Sequence, residues 1–188
     1  MRRLIDAFIR PPVRPSEFIA DAIRVLAVVS VFVAGVGWGP AQAGLFMLAL
    51  LGTLVPRALA VRPFLDILTG VVVLIAAWSN IFHLYTELIG WDKVVHIVLT
   101  AVIASLIVIG AQQTGLLPSS RRHRAGLILA TLAAGLAAGS LWEMLEWGGH
   151  NFIDDGIFVG YDDTIGDLTA DGVGALAAGF ALPFLGAR

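Results

Sequence analysis

Residues 94–111 read VVHIVLTAVIASLIVIGA, eighteen residues with no acid, Lys or Arg, entered through Trp91-Asp92-Lys93 and left through Gln112-Gln113. A helix rises about 1.5 Å per residue, so about 20 mostly apolar residues cross the roughly 30 Å hydrocarbon core of a bilayer. The stretch therefore predicts a transmembrane helix. Five more of its kind follow from the same count: Ala20 to Trp38, Ala41 to Leu59, Phe64 to Leu84, Ala125 to Trp147 and Ile165 to Leu185. The fold class is all-α, a polytopic membrane helix bundle of six transmembrane helices. Pro56 and Arg57 shorten the second span and its start crowds the first, so a count of five is the alternative.

Composition supports lipid as the solvent. Of 188 residues, 58% are hydrophobic and 14% charged, against about 25% charged in soluble domains, and the mean hydropathy is +0.88. A water-soluble globule is excluded, because so small a chain has too few polar residues to cover that much apolar surface. With no cysteine, a disulfide framework, a thiolate zinc site, an iron–sulfur cluster and a Cys nucleophile are excluded as well. A net charge of −2 gives no footing for nucleic acid.

Charge is sorted along the chain. Arg2, Arg3, Arg10, Arg14, Arg57, Arg62, Arg121, Arg122, Arg124 and Arg188 fall in the N-terminus, alternate connections and the C-terminus, while Lys93 is the one base outside them apart from Arg24 near the start of the first span. The positive-inside rule makes that side, with both termini, cytoplasmic. The five Trp and two Tyr (Trp38, Trp78, Trp91, Trp142, Trp147, Tyr85 and Tyr161) lie at or near the opposite ends of the spans, as an outer aromatic belt would. Residues 1–16 read as a cytoplasmic or interfacial segment, a short amphipathic helix before Pro11 and Pro12, and residues 17–188 as a single transmembrane domain. In the last two spans Gly135, Gly139, Ala175 and Gly179 give small-xxx-small spacing, which predicts that these helices touch. Asp66, four residues from Arg62, reads as its ion-pair partner.

Ten of the fourteen acids gather at or beyond the outer ends. The third span carries His83 and Glu87, the fourth Asp92, Lys93 and His96, the fifth Ser140, Glu143 and Glu146, the sixth Asp163, Asp167 and Asp171. Spacings of three and four put each set on one helix face. Glu143, Glu146, Asp167 and Asp171 cannot all stay ionised and unpaired at membrane depth, where an isolated charge costs at least about 2.5 kcal/mol. Protons or bound cations must neutralise them. Carboxylates beside imidazole suit Zn, Fe or Mn, and carboxylates with water suit Mg, Mn or Ca. The expected metal ligands are His96, Glu143, Glu146, Asp163, Asp167 and Asp171, with Asp92, Lys93, His83 and Ser140 supporting. The alternative is protonated carboxyls hydrogen-bonded between helices, with Ser140, Thr164 and Trp142 as partners. A His-Glu-x-x-His zinc motif and a nucleophile elbow are both missing from the chain.

Three motifs in order, Trp91-Asp92-Lys93-x-x-His96, Trp142-Glu143-x-x-Glu146-Trp147 and Asp163-Thr164-x-x-Asp167-Leu168-x-x-Asp171-x-x-Gly174-Ala175, resemble the YjdF-type family of bacterial inner-membrane proteins. More distantly they are similar to VanZ-like proteins, with Asp171 where that pattern has Asn. The resemblance implies a multi-pass protein of the bacterial cytoplasmic membrane, and its VanZ-like side implies a role at the cell envelope. It supplies no reaction. The function expected from residues and resemblance together is a divalent-metal-dependent hydrolase or transferase, with a metal-bound water as nucleophile, acting on an envelope or lipid-linked substrate. A cation or metal carrier and a non-catalytic accessory protein are the alternatives.

Overall fold

A computed structural model describes residues 2–118 and 123–185, all helix and connection, with no strand among them. Arg121, Arg122 and Arg188 of the basic pattern lie outside the described residues, as do the side chains of Arg2 and Arg3. The helices are α1 (Arg2–Ile9), α2 (Pro15–Trp38), α3 (Pro40–Ala58), α4 (Pro63–Ile81), α5 (Leu84–Glu87), α6 (Trp91–Gln113), α7 (Arg124–Phe152) and α8 (Tyr161–Leu185). Six of them, α2, α3, α4, α6, α7 and α8, are long and apolar enough to cross a membrane. The doubtful second span is therefore a helix of its own. Pro56 sits in its last turn, so the ladder bond it removes falls near the helix end and not in mid-span. Phe32, Val36, Leu141 and Phe180, with many other large apolar side chains, are more than half exposed. A protein in water does not leave this much apolar surface open.

The chain divides into two compact units, Met1–Ile89 and Gly90–Phe184, with the last residues from Leu185 grouped with the first. In the first unit the small residues Ala27, Ala34, Ala49 and Ala77 and the large ones Phe46, Leu74 and Ile81 form the buried core where α2, α3 and α4 meet. Trp78 packs edge-on against Phe46 and Trp38, stacks on Phe82, and donates its indole N–H to Ser30 Oγ at 3.2 Å. An aromatic placed by sequence in an interfacial belt thus also serves packing. Charges there are half-buried and paired. Arg24 pairs with Asp66 and, at 2.7 Å, with Asp21, and its Nε donates to the Thr53 carbonyl; Arg57 pairs with Asp21 at 3.4 Å. The ion pair of Asp66 therefore runs to α2, not to the sequence neighbour Arg62, because Arg24 reaches it across the helix interface.

Helix ends also differ from the sequence expectation. The third span stops at Ile81, and His83 takes a left-handed backbone (φ 55°) that starts the short α5. His83 and Glu87 thus lie beyond the third span and not on it. The fifth span runs on to Phe152, so His150 and Asn151 belong to its last turn; Asn151 donates to the Trp147 carbonyl at 2.7 Å and His150 Nδ1 to the Ile157 carbonyl at 2.6 Å.

The second unit is built by close backbone approach. A Cβ at Gly174 of α8 would overlap the Ile97 carbonyl of α6, one at Gly135 of α7 would overlap Ala175 Cβ, and one at Gly179 would lie 3.0 Å from Ile128 Cα. Glycine at these three positions lets α8 lie against both α6 and α7.

Candidate functional site

Gly90, in the left-handed conformation (φ 79°), turns the chain into α6. From there Asp92, His96 and Thr100 follow at four-residue spacing on one face. Asp163, Asp167 and Asp171 do the same on α8, covering about 12 Å of helix. The glycine contacts bring these two faces together inside the second unit. Asp167 and Asp171 are 1% and 0% exposed and His96 9%. Buried charge of this density needs partners, and the packing provides them in two tiers.

The upper tier centres on Lys93. Its ammonium lies 2.7 Å from Asp167 Oδ1, 3.0 Å from Asp163 Oδ1 and 3.1 Å from Asp92 Oδ2. The stem crosses Gly166 of α8, where a Cβ would stand 2.9 Å from Lys93 Cε. The lower tier is His96. Its Nδ1 lies 3.1 Å from Asp171 Oδ1, and Thr100 Oγ1 donates to that same oxygen. A carboxylate only accepts, so Nδ1 carries the hydrogen and Nε2 faces the other way. There it stands 3.7 Å from both Asp92 Oδ1 and Asp167 Oδ1.

These three donors, from Asp92, His96 and Asp167, lie within 4.8 Å of one another, the one such group among the described residues. Metal–ligand bonds of about 2.0–2.2 Å in a tetrahedron separate the ligand atoms by roughly 3.4 Å, close to the observed 3.7 Å spacing. Three such donors could hold an ion, and a carboxylate on the second imidazole nitrogen is the usual support of a ligating histidine.

The other expected ligands have different partners. Asp163 is held by Lys93, and Asp171 supports His96 from behind, its second oxygen buried without a hydrogen bond against Gly139. On α7, Glu146 accepts the Trp142 indole N–H at 2.9 Å, with Glu143, His96 and Asp92 as its charged neighbours, and Glu143 Oε1 is buried without a hydrogen-bond partner. Ser140 bonds back to the Leu136 carbonyl of its own helix at 2.8 Å. His83 belongs to the first unit and is exposed. Asp92, which sequence made a supporting residue, supplies one of the three close donors; its four-residue spacing from His96 was the available signal. Lys93 as the centre of the acidic tier had no such signal, since only the fold brings Asp163 and Asp167 to it.

Six apolar helices and a cluster of acids, His and Lys, buried at His96, Asp167 and Asp171, define a polytopic helical membrane protein. Residues 18–187 match the family model described as "Predicted membrane protein (DUF2238)", and the chain belongs to that family. Neither a curated protein nor a solved structure matches it.

Proposed function

We propose that Asp92, His96 and Asp167 form a divalent-metal site and that the protein is a metal-dependent hydrolase or transferase working on an envelope or lipid-linked substrate. The observation that carries this is the orientation of His96: Asp171 and Thr100 fix its Nδ1 side, which leaves Nε2 turned toward two carboxylate oxygens at equal 3.7 Å distances. A bound ion would supply Lewis acidity to a substrate ester and to water. The chain's own groups prepare that chemistry. Asp171 holds the Nδ1 side of the imidazole, Asp92 and Asp167 provide negative charge, and Lys93 would keep Asp163 as a partner if Asp167 held an ion. Part of the Lys93 ammonium would then be available to an anionic substrate group.

Sidedness is part of this reading. The basic connections argue for a cytoplasmic N-terminus and an outward-facing cluster in a bacterial inner membrane, and the YjdF-like and VanZ-like motifs argue for the envelope setting. The other readings are a cation carrier and a non-catalytic accessory protein, the latter favoured by the contacts of Lys93, which already neutralises part of the acidic tier. Elemental analysis of the purified protein separates the readings. The expected result is near-stoichiometric metal in the wild type, lost in Asp92→Ala and Asp167→Ala. No metal above background in the wild type would overturn the proposal, and ion flux in proteoliposomes abolished by the same substitutions would favour the carrier.

A further inference from the structure

The first unit carries a surface whose chemistry matches a different ligand. In α1, Ile5, Phe8 and Ile9 fall on one side with Asp6 off it, and the sequence adds Leu4 to the apolar residues and Arg2 and Arg3 to the basic ones, the pattern of a helix lying in a membrane interface. The helix is not loose. Arg57 of α3 donates from Nε to the Phe8 carbonyl at 3.3 Å and from a terminal nitrogen to the Arg10 carbonyl, which satisfies carbonyls at the end of α1 and ties it to a transmembrane helix. The two bonds hold its C-terminal end only, and along its length and just beyond it Ile5, Phe8, Ile9 and Val13 remain exposed, Ile9 by 70% and Val13 by 75%. The exposed apolar strip continues onto Phe18 and Ile19 in the first turn of α2, a face that a bilayer covers.

The charge beside this strip is basic. Residues 1–14 hold four arginines against one acid, Asp6. Glu17, the nearest further acid, is 4% exposed and turned inward, where it accepts from Arg10 at 2.9 Å and from the Val13 N–H at 2.8 Å. It offsets Arg10 in part, whose side chain still stays 48% exposed, and does little to offset Arg14, which is exposed.

We propose that α1, with Arg10 and Arg14, is a docking surface for anionic phospholipid headgroups. The apolar side enters the acyl boundary and the arginines meet the phosphates. The surface acts through attraction to headgroup charge, about fivefold in the immersed population for each arginine, and so reads the composition of the leaflet it lies on. This inference is independent of the metal site.

The absence of native cysteine makes the test clean. Full-length protein carrying a single Ile9→Cys or Asp6→Cys substitution is labelled with an environment-sensitive fluorophore. It is then reconstituted in nanodiscs of phosphatidylcholine alone or mixed with phosphatidylglycerol. The expected result is an Ile9→Cys label shielded from acrylamide in the mixed discs and several-fold more accessible in phosphatidylcholine, an Asp6→Cys label accessible in both, and loss of the lipid difference in an Arg10→Gln, Arg14→Gln background. Equal quenching at Ile9→Cys in the two lipids would overturn the proposal, as would equal shielding of the two positions. A Val13→Cys label, outside α1, repeats the readout if Ile9→Cys disturbs the fold.

Discussion

Gly139→Ala tests the packing that sets His96. A methyl group there would lie 2.7 Å from Asp171 Cγ and 3.2 Å from Asp171 Cβ, and would overlap the buried Oδ2. The carboxylate has little room to retreat, because it is fully buried and its other oxygen is held by Thr100 and His96. Overpacking costs about 1–3 kcal/mol, and loss of one hydrogen bond to a charged group adds about 1.5–3 kcal/mol. The gain from replacing helical Gly by Ala, about 1 kcal/mol, offsets part of this. A net loss of about 1.5–5 kcal/mol follows from these terms. Gly126→Ala is the internal control: it lies in the same helix, and its Cβ would meet nothing within 4 Å, so it should be neutral or stabilising by up to about 1 kcal/mol. Thermal unfolding in detergent, followed by tryptophan fluorescence, reads both. The reasoning fails if Gly139→Ala melts at or above Gly126→Ala, for that outcome would mean α7 and α8 do not hold Asp171 between them.

Further substitutions address single links. Arg24→Ala leaves Asp66, whose side chain is 12% exposed, without its main partner and should cost about 3–5 kcal/mol; in chemical denaturation the Arg24→Ala, Asp66→Ala double variant should recover part of that, and no recovery would mean the pair is not the cause. Lys93→Met removes the cation that competes for Asp92 and Asp167, so divalent-metal affinity measured by titration calorimetry should rise; a fall would show that Lys93 supports the site. Trp78→Phe keeps the aromatic packing but deletes the bond to Ser30, with an expected loss of about 1 kcal/mol in the same melts.

The spans were legible because each is a long apolar run, and a run that long has few other homes. The faces of the site were legible too: Asp92 with His96, and Asp163 with Asp167 and Asp171, follow from helical spacing alone. Which faces meet is a matter of glycine contacts between helices, and small-xxx-small spacing anticipated those of Gly135 and Gly139 with α8. The rest depends on side-chain reach across distant segments. Lys93 lies seventy residues from Asp163 and Arg24 forty-two from Asp66, so local spacing favoured nearer partners. Glu143 and Glu146 share a face as expected, yet one of them takes a tryptophan of its own helix in place of a cluster across the interface.

A single residue, Gly39, separates Trp38 from Pro40, and its positive φ of 95° turns α2 directly into α3. That leaves no slack for one helix to enter the bilayer while the other waits in water. During biosynthesis the two must partition together as a helical hairpin. α3 has the weakest hydropathy of the six spans, so joint insertion lets its stronger neighbour carry it across. A hydrophilic insertion after Gly39 would release that constraint, and the second span would then insert on its own apolarity.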